Sequence, residues 1–268
     1  MKIGVLGPLS VDHNHSSIVP TAGKPRQVLT MLALRAGHTV PVSTLMEEVW
    51  GDAVPRSAAT TLQTYILQLR RQIAGTLAPG SALTPKDVLA TSFGGYRLTP
   101  TVESHDSAEF RQLTLRGGAA LETGDPCTAA DLLRKALNLW RGPALGDVPR
   151  GVVLELEAIS MEESRMQVLE QRIEADLRLG RYSSLIAELR VLTARHPLNE
   201  NLRAQLMTAF YCSGNTWRAM EEFRRLRECV RMELGVEPSH RLQRMHQAVL
   251  SGESLPGTLR AQLPFVVD

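Results

Sequence analysis

A chain of 268 residues with 43 % hydrophobic content is long enough for one large or two ordinary domains, each burying its own core, and two is the expectation. Charged residues make up 22 % of it, and Lys+Arg 30 against Asp+Glu 28 leaves a formal +2, a balance that advertises neither nucleic acid nor an acidic partner. No run approaches the ~18 to 20 apolar residues of a membrane helix, and the opening MKIGVLGPLS lacks the features of a signal peptide, so no membrane association and a cytoplasmic location are expected. Cys127, Cys212 and Cys229 are an odd, scattered set without CxxC spacing, which argues against a disulfide framework or a zinc site and predicts buried, inert thiols.

Charge is not spread evenly. Residues 1–100 carry nine Lys/Arg against five Asp/Glu, a local +4, and the remainder is −2. Texture changes at the same place, from short β-like runs with turn signals to successive helices, so a boundary is expected near Pro100 to His105, with Asp106 and Glu109 as a capping box.

In chain order, Lys2 to Leu6 and Leu9 to Val11 predict paired strands, with Ile18 to Pro20 a third. Val28, Leu29, Leu32 and Ala33 share a face of a helix from about Pro25 to Ala36, with Pro25 in its first turn and Gly37 at its end. Thr44 and Glu47 form a capping-box signal for a second helix that stops at Gly51. The third helix, about Pro55 to Ile73, places Ala58, Leu62, Tyr65, Ile66, Leu69 and Ile73 on one apolar stripe. Ser57, Thr61, Thr64, Gln68 and Arg71 recur on another face, and no Asp or Glu lies between Arg56 and Arg71. An ordinary surface helix scatters Glu and Lys in (i, i+4) pairs. An acid-free face of hydroxyls and amides instead suits a helix lying in a DNA groove, where Thr60, Thr61, Thr64 and Gln68 bond base edges or phosphates and Arg70 and Arg71 supply phosphate charge. Val88 to Ser92, Gly94-Gly95 and Tyr96 to Leu98 then predict a β-hairpin with Arg97 near its tip, suited to the adjacent minor groove. Strands, three helices and a hairpin make a winged helix.

Beyond Asp106, helices are predicted at about 106–123, 126–140, 152–179, 182–195, 199–213, 216–234 and 239–250. Gly180 and Gly214 lie 34 residues apart, each at a helix end, which is the period of a tetratricopeptide-like helix pair. Stacked helical hairpins bury one face and leave a concave surface suited to protein or peptide recognition. After Gly252, a tail over 253–268 has two prolines and no periodicity and is expected to be poorly ordered. The expected fold is therefore mainly α: a winged-helix domain at 1–100 and a helical domain at 106–252.

KPRQVLTMLAL (24–34), LMEEVWG (45–51), SAATTLQTYILQLRR (57–71) and FGGYRL (93–98) resemble the winged-helix domain of the actinomycete antibiotic regulatory proteins, the SARP family, within the broader OmpR-like group. AALETGDPCTAADLLRKALNLWRGPALGDV (119–148), with LWRGPAL its most specific part, resembles the bacterial transcriptional activation domain that follows it in that family. Gly180-Arg181-Tyr182, the stretch His196 to Glu200, and Glu233 to Ser239 match the same domain, so the resemblance spans about 1–250. It implies that Thr60, Thr61, Thr64, Gln68, Arg70 and Arg71 lie on the recognition helix, with Gln68 where some OmpR-like relatives carry a base-contacting Arg. Tyr65 would lie between the core and the DNA backbone, and Arg97 in the wing. Lys24 and Arg26, at a helix start, are candidate phosphate clamps.

Enzymatic readings fail on inventory. The chain has no GxxxxGK[ST] loop, no HExxH and no GxSxG, and the expectation is no enzyme, no cofactor and no metal. His13 and His15 are expected in a surface loop. The adjacent pairs Glu47/Glu48, Glu162/Glu163 and Glu221/Glu222 are expected on solvated faces, and Trp50, Trp140 and Trp217 as packing anchors. By resemblance, the function implied is a sequence-specific activator of a biosynthetic gene cluster. It would bind double-stranded DNA at promoter direct repeats near the −35 region as a head-to-tail dimer, recruit RNA polymerase holoenzyme and reside on the nucleoid. A repressor or dual regulator of the same fold, or a helical-repeat scaffold, are the competing readings.

Overall fold

The computed structural model describes residues 1–99 and 104–252, so Pro100 and Thr101 of the expected boundary, and the tail, lie outside the described residues. Contacts cluster into two compact units: Met1–Leu115 with Lys135–Val168, and Arg116–Arg134 with Leu169 to the last described residue.

The first unit opens with β1 (Lys2–Gly4), β2 (Ser10–His13) and β3 (Ser16–Ser17). β1 and β2 run antiparallel with Ile3 opposite Val11, and the turn into β3 holds Asn14 and His15 at positive φ, 48° and 63°. The third strand thus ends before Ile18, which keeps one ladder-like bond, its N–H to the Val11 carbonyl at 2.9 Å. Alternation along β2 turns His13 inward with Val11, so only His15 occupies the surface turn.

Helix α1 (Gly23–Leu34) buries Val28, Leu29, Met31, Leu32 and Ala33. β4 (Val40–Pro41) runs directly into α2 (Val42–Trp50). This helix starts two residues before the Thr44 signal, because the chain enters it from a strand and the Val42 N–H is satisfied by the Gly94 carbonyl at 3.0 Å; Thr44 has no cap to make. α3 (Ala58–Ala74) buries Ala58, Leu62, Ile66, Leu69 and Ile73, the expected stripe except for half-buried Tyr65. A short α4 (Pro85–Val88), closed by a Thr84/Asp87 capping box, leads into the hairpin β5 (Leu89–Ser92) and β6 (Gly95–Leu98). β4 joins the other side of β6, giving the order β4-β6-β5. Gly95 is required there, since a Cβ would run into the Val40 carbonyl.

β7 (Ser104–His105) pairs parallel to β1, so the first sheet reads β3-β2-β1-β7. α5 (Asp106–Glu122) begins at Asp106, but its carboxylate does not cap its own helix. Oδ2 accepts the Val5 N–H at 2.8 Å and the Leu6 N–H at 2.9 Å, closing the end of β1.

α6 (Pro126–Asn138) and α7 (Val152–Arg178) flank the segment 139–148, which also belongs to the first unit. Arg141 donates its N–H to the Leu6 carbonyl at 2.8 Å, and Asp147 Oδ1 accepts from Leu9 N at 2.7 Å. Trp140 is buried edge-on to Phe110 at 5.6 Å, with the Arg165 guanidinium 4.7 Å from its ring.

Glu48 of α2 is 2 % exposed and accepts the N–H groups of Gly151 at 2.6 Å and Leu154 at 2.9 Å, where an anion meets the unpaired amides of the α7 N-terminus. The expectation of solvated acids fails here because backbone donors 103 and 106 residues away take the carboxylate. Glu162 likewise accepts from Ala144 N at 2.7 Å, and Glu222 is buried against Arg203.

In the second unit α8 (Tyr182–Arg195), α9 (Glu200–Cys212), α10 (Thr216–Leu234) and α11 (His240–Ser251) pack as successive hairpins, α8 on α9, α9 on α10, and α11 on both α9 and α10. Gly180 and Gly214 take left-handed φ of 75° and 81° at the turns, and Asn199 caps α9 through the Leu202 N–H at 3.0 Å. Trp217 is 62 % exposed, with the Arg218 guanidinium 5.2 Å from its ring, so it anchors no core. The thiols differ from expectation too: Cys127 is exposed, and Cys212 and Cys229 are half-buried.

Candidate nucleic-acid interface

α3 is built so that one stripe holds it in the first unit and the opposite face is free. Thr60, Thr64, Gln68 and Arg71 are exposed, and Thr61 is half-buried at the edge. Gln63 and Leu67, 53 % exposed, belong to the same face and were not among the expected contacts; their i+3 and i+7 spacing from Thr60 was the available signal. The Thr64 hydroxyl donates to the Thr60 carbonyl at 3.1 Å, which leaves its oxygen as an outward acceptor.

The two neighbouring arginines have different tasks. Arg70 donates from Nε and Nη2 to the Leu89 carbonyl at 3.0 and 2.8 Å and from Nη2 to Thr91 Oγ1 at 2.9 Å, fastening α3 to β5. Arg71 is exposed and has no ion pair among the described residues. Sequence spacing placed both on one helix, but the wing carbonyl that captures Arg70 is 19 residues downstream.

At the start of α1, Lys24 is exposed with Nζ 5.4 Å from the Trp50 ring, and Trp50 stacks on Tyr65 at 6.3 Å and 15°. This row places Lys24 and Tyr65 at one edge of the α3 face. Arg26 is held internally: Nε donates to the Pro20 carbonyl at 2.9 Å, and Nη1 to the Asp147 carbonyl at 2.8 Å and carboxylate at 3.1 Å. Arg97, half-buried in β6 opposite Ala90, has a buried Nε without a hydrogen-bond partner among the described residues. The hairpin turn instead presents Phe93, fully exposed beside Gly94 at φ 74°. No helix is long and apolar enough to cross a membrane, and no three His, Cys, Asp or Glu gather as a metal site, among the described residues.

An acid-free exposed helix face thus lies beside a three-stranded sheet. Residues 17–98 match the family described as "Transcriptional regulatory protein, C terminal", and residues 105–250 match the "Bacterial transcriptional activator domain". The chain is 50 % identical over 253 residues to "Regulatory protein DnrI" of Streptomyces peucetius, covering 94 % of this chain and 93 % of that one. The chain belongs to the SARP family of transcriptional activators. This SARP chain is also 35 % identical to "Transcriptional regulator RedD" of Streptomyces coelicolor, over 94 % of its own length and 71 % of RedD. It aligns along its whole length with "Regulatory protein AfsR" of Streptomyces coelicolor at 34 % identity, but spans only 27 % of that longer protein. Among solved structures, it is similar to "Mycobacterium tuberculosis EmbR in complex with low affinity phosphopeptide" at a TM-score of 0.88 and 31 % identity, covering 97 % of this chain and 67 % of that one. Its OmpR-like winged helix is a DNA-binding module, and the SARP chain is a transcription regulator rather than an enzyme.

Proposed function

We propose that this activator reads promoter direct repeats with the exposed face of α3, docks as a head-to-tail dimer and recruits RNA polymerase holoenzyme to a secondary-metabolite (antibiotic) gene cluster. The division of labour runs between 1–100, which contacts DNA, and 106–252, which serves activation. The bound protein resides on the nucleoid.

One observation carries the reading: from Thr60 to Arg71 the outward face of α3 offers hydroxyls, amides and one free guanidinium, with no carboxylate to repel phosphate. Gln68 and Thr64 read base edges, with Thr60 and Thr61 beside them. Arg71 and Lys24 set register on the phosphates, and Tyr65 packs against the sugar-phosphate backbone through its Trp50 stack. Arg97 and Phe93 meet the adjacent minor groove. Arg26 and Arg70, whose donors are mostly occupied, act by holding the first helix and the wing in place.

Gel-shift titration of the full chain on its operator and on scrambled DNA at fixed salt tests this. Gln68→Ala is expected to cost ~1 to 3 kcal/mol of discrimination while leaving non-specific binding nearly unchanged. An unaltered preference for operator over scrambled DNA overturns the role of Gln68. A promoter reporter is expected to lose signal when the gene is deleted, and a rise would make the protein a repressor.

A further inference from the structure

The second unit contains a cavity of about 310 Å³ between α5, α7, α9 and α11, at the low end of the roughly 300–1,000 Å³ usual for small-molecule sites. Its wall carries three carboxylates, Glu122, Glu170 and Glu174, against two guanidinium groups, Arg178 and Arg241. Gln205 is 9 % exposed, and its Nε2 donates to the Glu170 carbonyl at 2.8 Å; that bond fixes the amide's orientation and leaves Oε1 buried without a partner among the described residues. Gln171 Oε1, in the same wall, is also buried and unpartnered.

Glu170 itself is 8 % exposed. Its carboxylate accepts from the side-chain amides of Asn199 at 2.8 Å and Asn201 at 3.1 Å, but meets no cation among the described residues. The two lining arginines bond other residues of the same wall rather than Glu170: Arg178 donates to Glu174 and the Leu121 carbonyl, and Arg241 to Asn201 Oδ1. A buried carboxylate without a counter-charge, beside two orphaned amide oxygens, is costly unless something that enters the cavity satisfies them.

We propose that this cavity binds a small organic cation rich in N–H donors, an ammonium or guanidinium compound. Its charge faces Glu170, and its N–H groups reach the oxygens of Gln171 and Gln205. With three carboxylates against two guanidinium groups in the wall, and Arg178 paired to Glu174, the site disfavours anions, and a neutral hydroxyl compound brings no charge to pair with Glu170. The site lies wholly within the second unit and does not depend on how α3 reads DNA.

Isothermal titration of the full chain with putrescine and agmatine, and with 1,4-butanediol as the uncharged counterpart, tests the proposal. At least one of the two cations is expected to bind one-to-one with a Kd below ~1 mM, and the diol not to bind. Glu170→Gln and Gln205→Leu are each expected to weaken binding by ~10-fold or more with an unchanged far-UV spectrum. Should either fail to fold, Gln171→Leu, at a partly exposed position, is expected to weaken it by ~3-fold or more. Absence of saturable binding by both cations, equal binding of the diol, or a crystal structure grown with agmatine in which only water fills the cavity overturns the proposal.

Discussion

Glu48→Ala is the sharpest test of how the first unit is held together. The wild-type carboxylate is buried and takes two backbone donors, Gly151 at 2.6 Å and Leu154 at 2.9 Å, with Gln27 Nε2 at 3.2 Å as a third. Hydrogen bonds to a charged group contribute ~1.5 to 3 kcal/mol each, and the lost anion at a helix N-terminus adds up to ~1 kcal/mol. Against this, alanine removes the cost of burying a carboxylate, so the net loss is ~3 to 5 kcal/mol, the range for breaking a buried charged contact. In a unit of this size each kcal/mol moves Tm by roughly 2 to 4 °C, so the transition that reports on the first unit is expected to fall by ~6 to 20 °C in thermal melts followed by circular dichroism. Hydrogen exchange localises the effect: the Gly151 and Leu154 amides are expected to lose protection first. Glu48→Gln, which retains one acceptor oxygen, is expected to cost less than half as much. A Tm shift under ~2 °C for the alanine variant, or unchanged protection at both amides, refutes the reasoning.

Arg70 and Arg71 are expected to separate cleanly. Arg71→Ala should weaken binding to all DNA and lower the salt slope by ~1 without changing Tm, whereas Arg70→Ala should lower Tm through loss of its bonds to Leu89 and Thr91. Burial against Phe223, with Arg224 and Arg227 nearby, holds the His246 imidazole below its ordinary value. The unfolded chain therefore binds the proton more readily. The contribution of neutral His246 is full above the ordinary histidine range and is lost as pH falls through it, so unfolding of α10 and α11 is expected to become easier below about pH 6.5, a dependence that His246→Phe is expected to weaken in urea titrations at stepped pH. With a thiol-reactive probe, exposed Cys127 is expected to label first. Cys212 should label last, because burial pushes its thiol up, only partly opposed by a hydrogen bond from Tyr182. Mass spectrometry of early time points reads the order.

The seven helices after Asp106 and the apolar stripe of α3 were legible because helical periodicity and glycine stops are local signals. Local signals failed where a distant partner competed. Thr44 lost its capping role because a strand delivers the chain into α2, and Asp106 because the amides of Val5 and Leu6 take its carboxylate. The site divides in the same way. The exposed face of Thr60, Thr64, Gln68 and Arg71 follows from spacing alone, but the occupation of Arg26 by Asp147 and of Arg70 by Leu89 depends on residues 121 and 19 positions away.

The sequence by itself determined a helix with an acid-free exposed face and a run of helical hairpins, since composition and period act within a few turns of chain. Only the tertiary structure decided that residues 139–148 and the start of α7 pack with the winged helix in one unit, because the carboxylates of Glu48, Asp106 and Asp147 each find their backbone donors across long stretches of sequence. A buried carboxylate must be satisfied by whichever donors folding brings to it, and no local pattern names them.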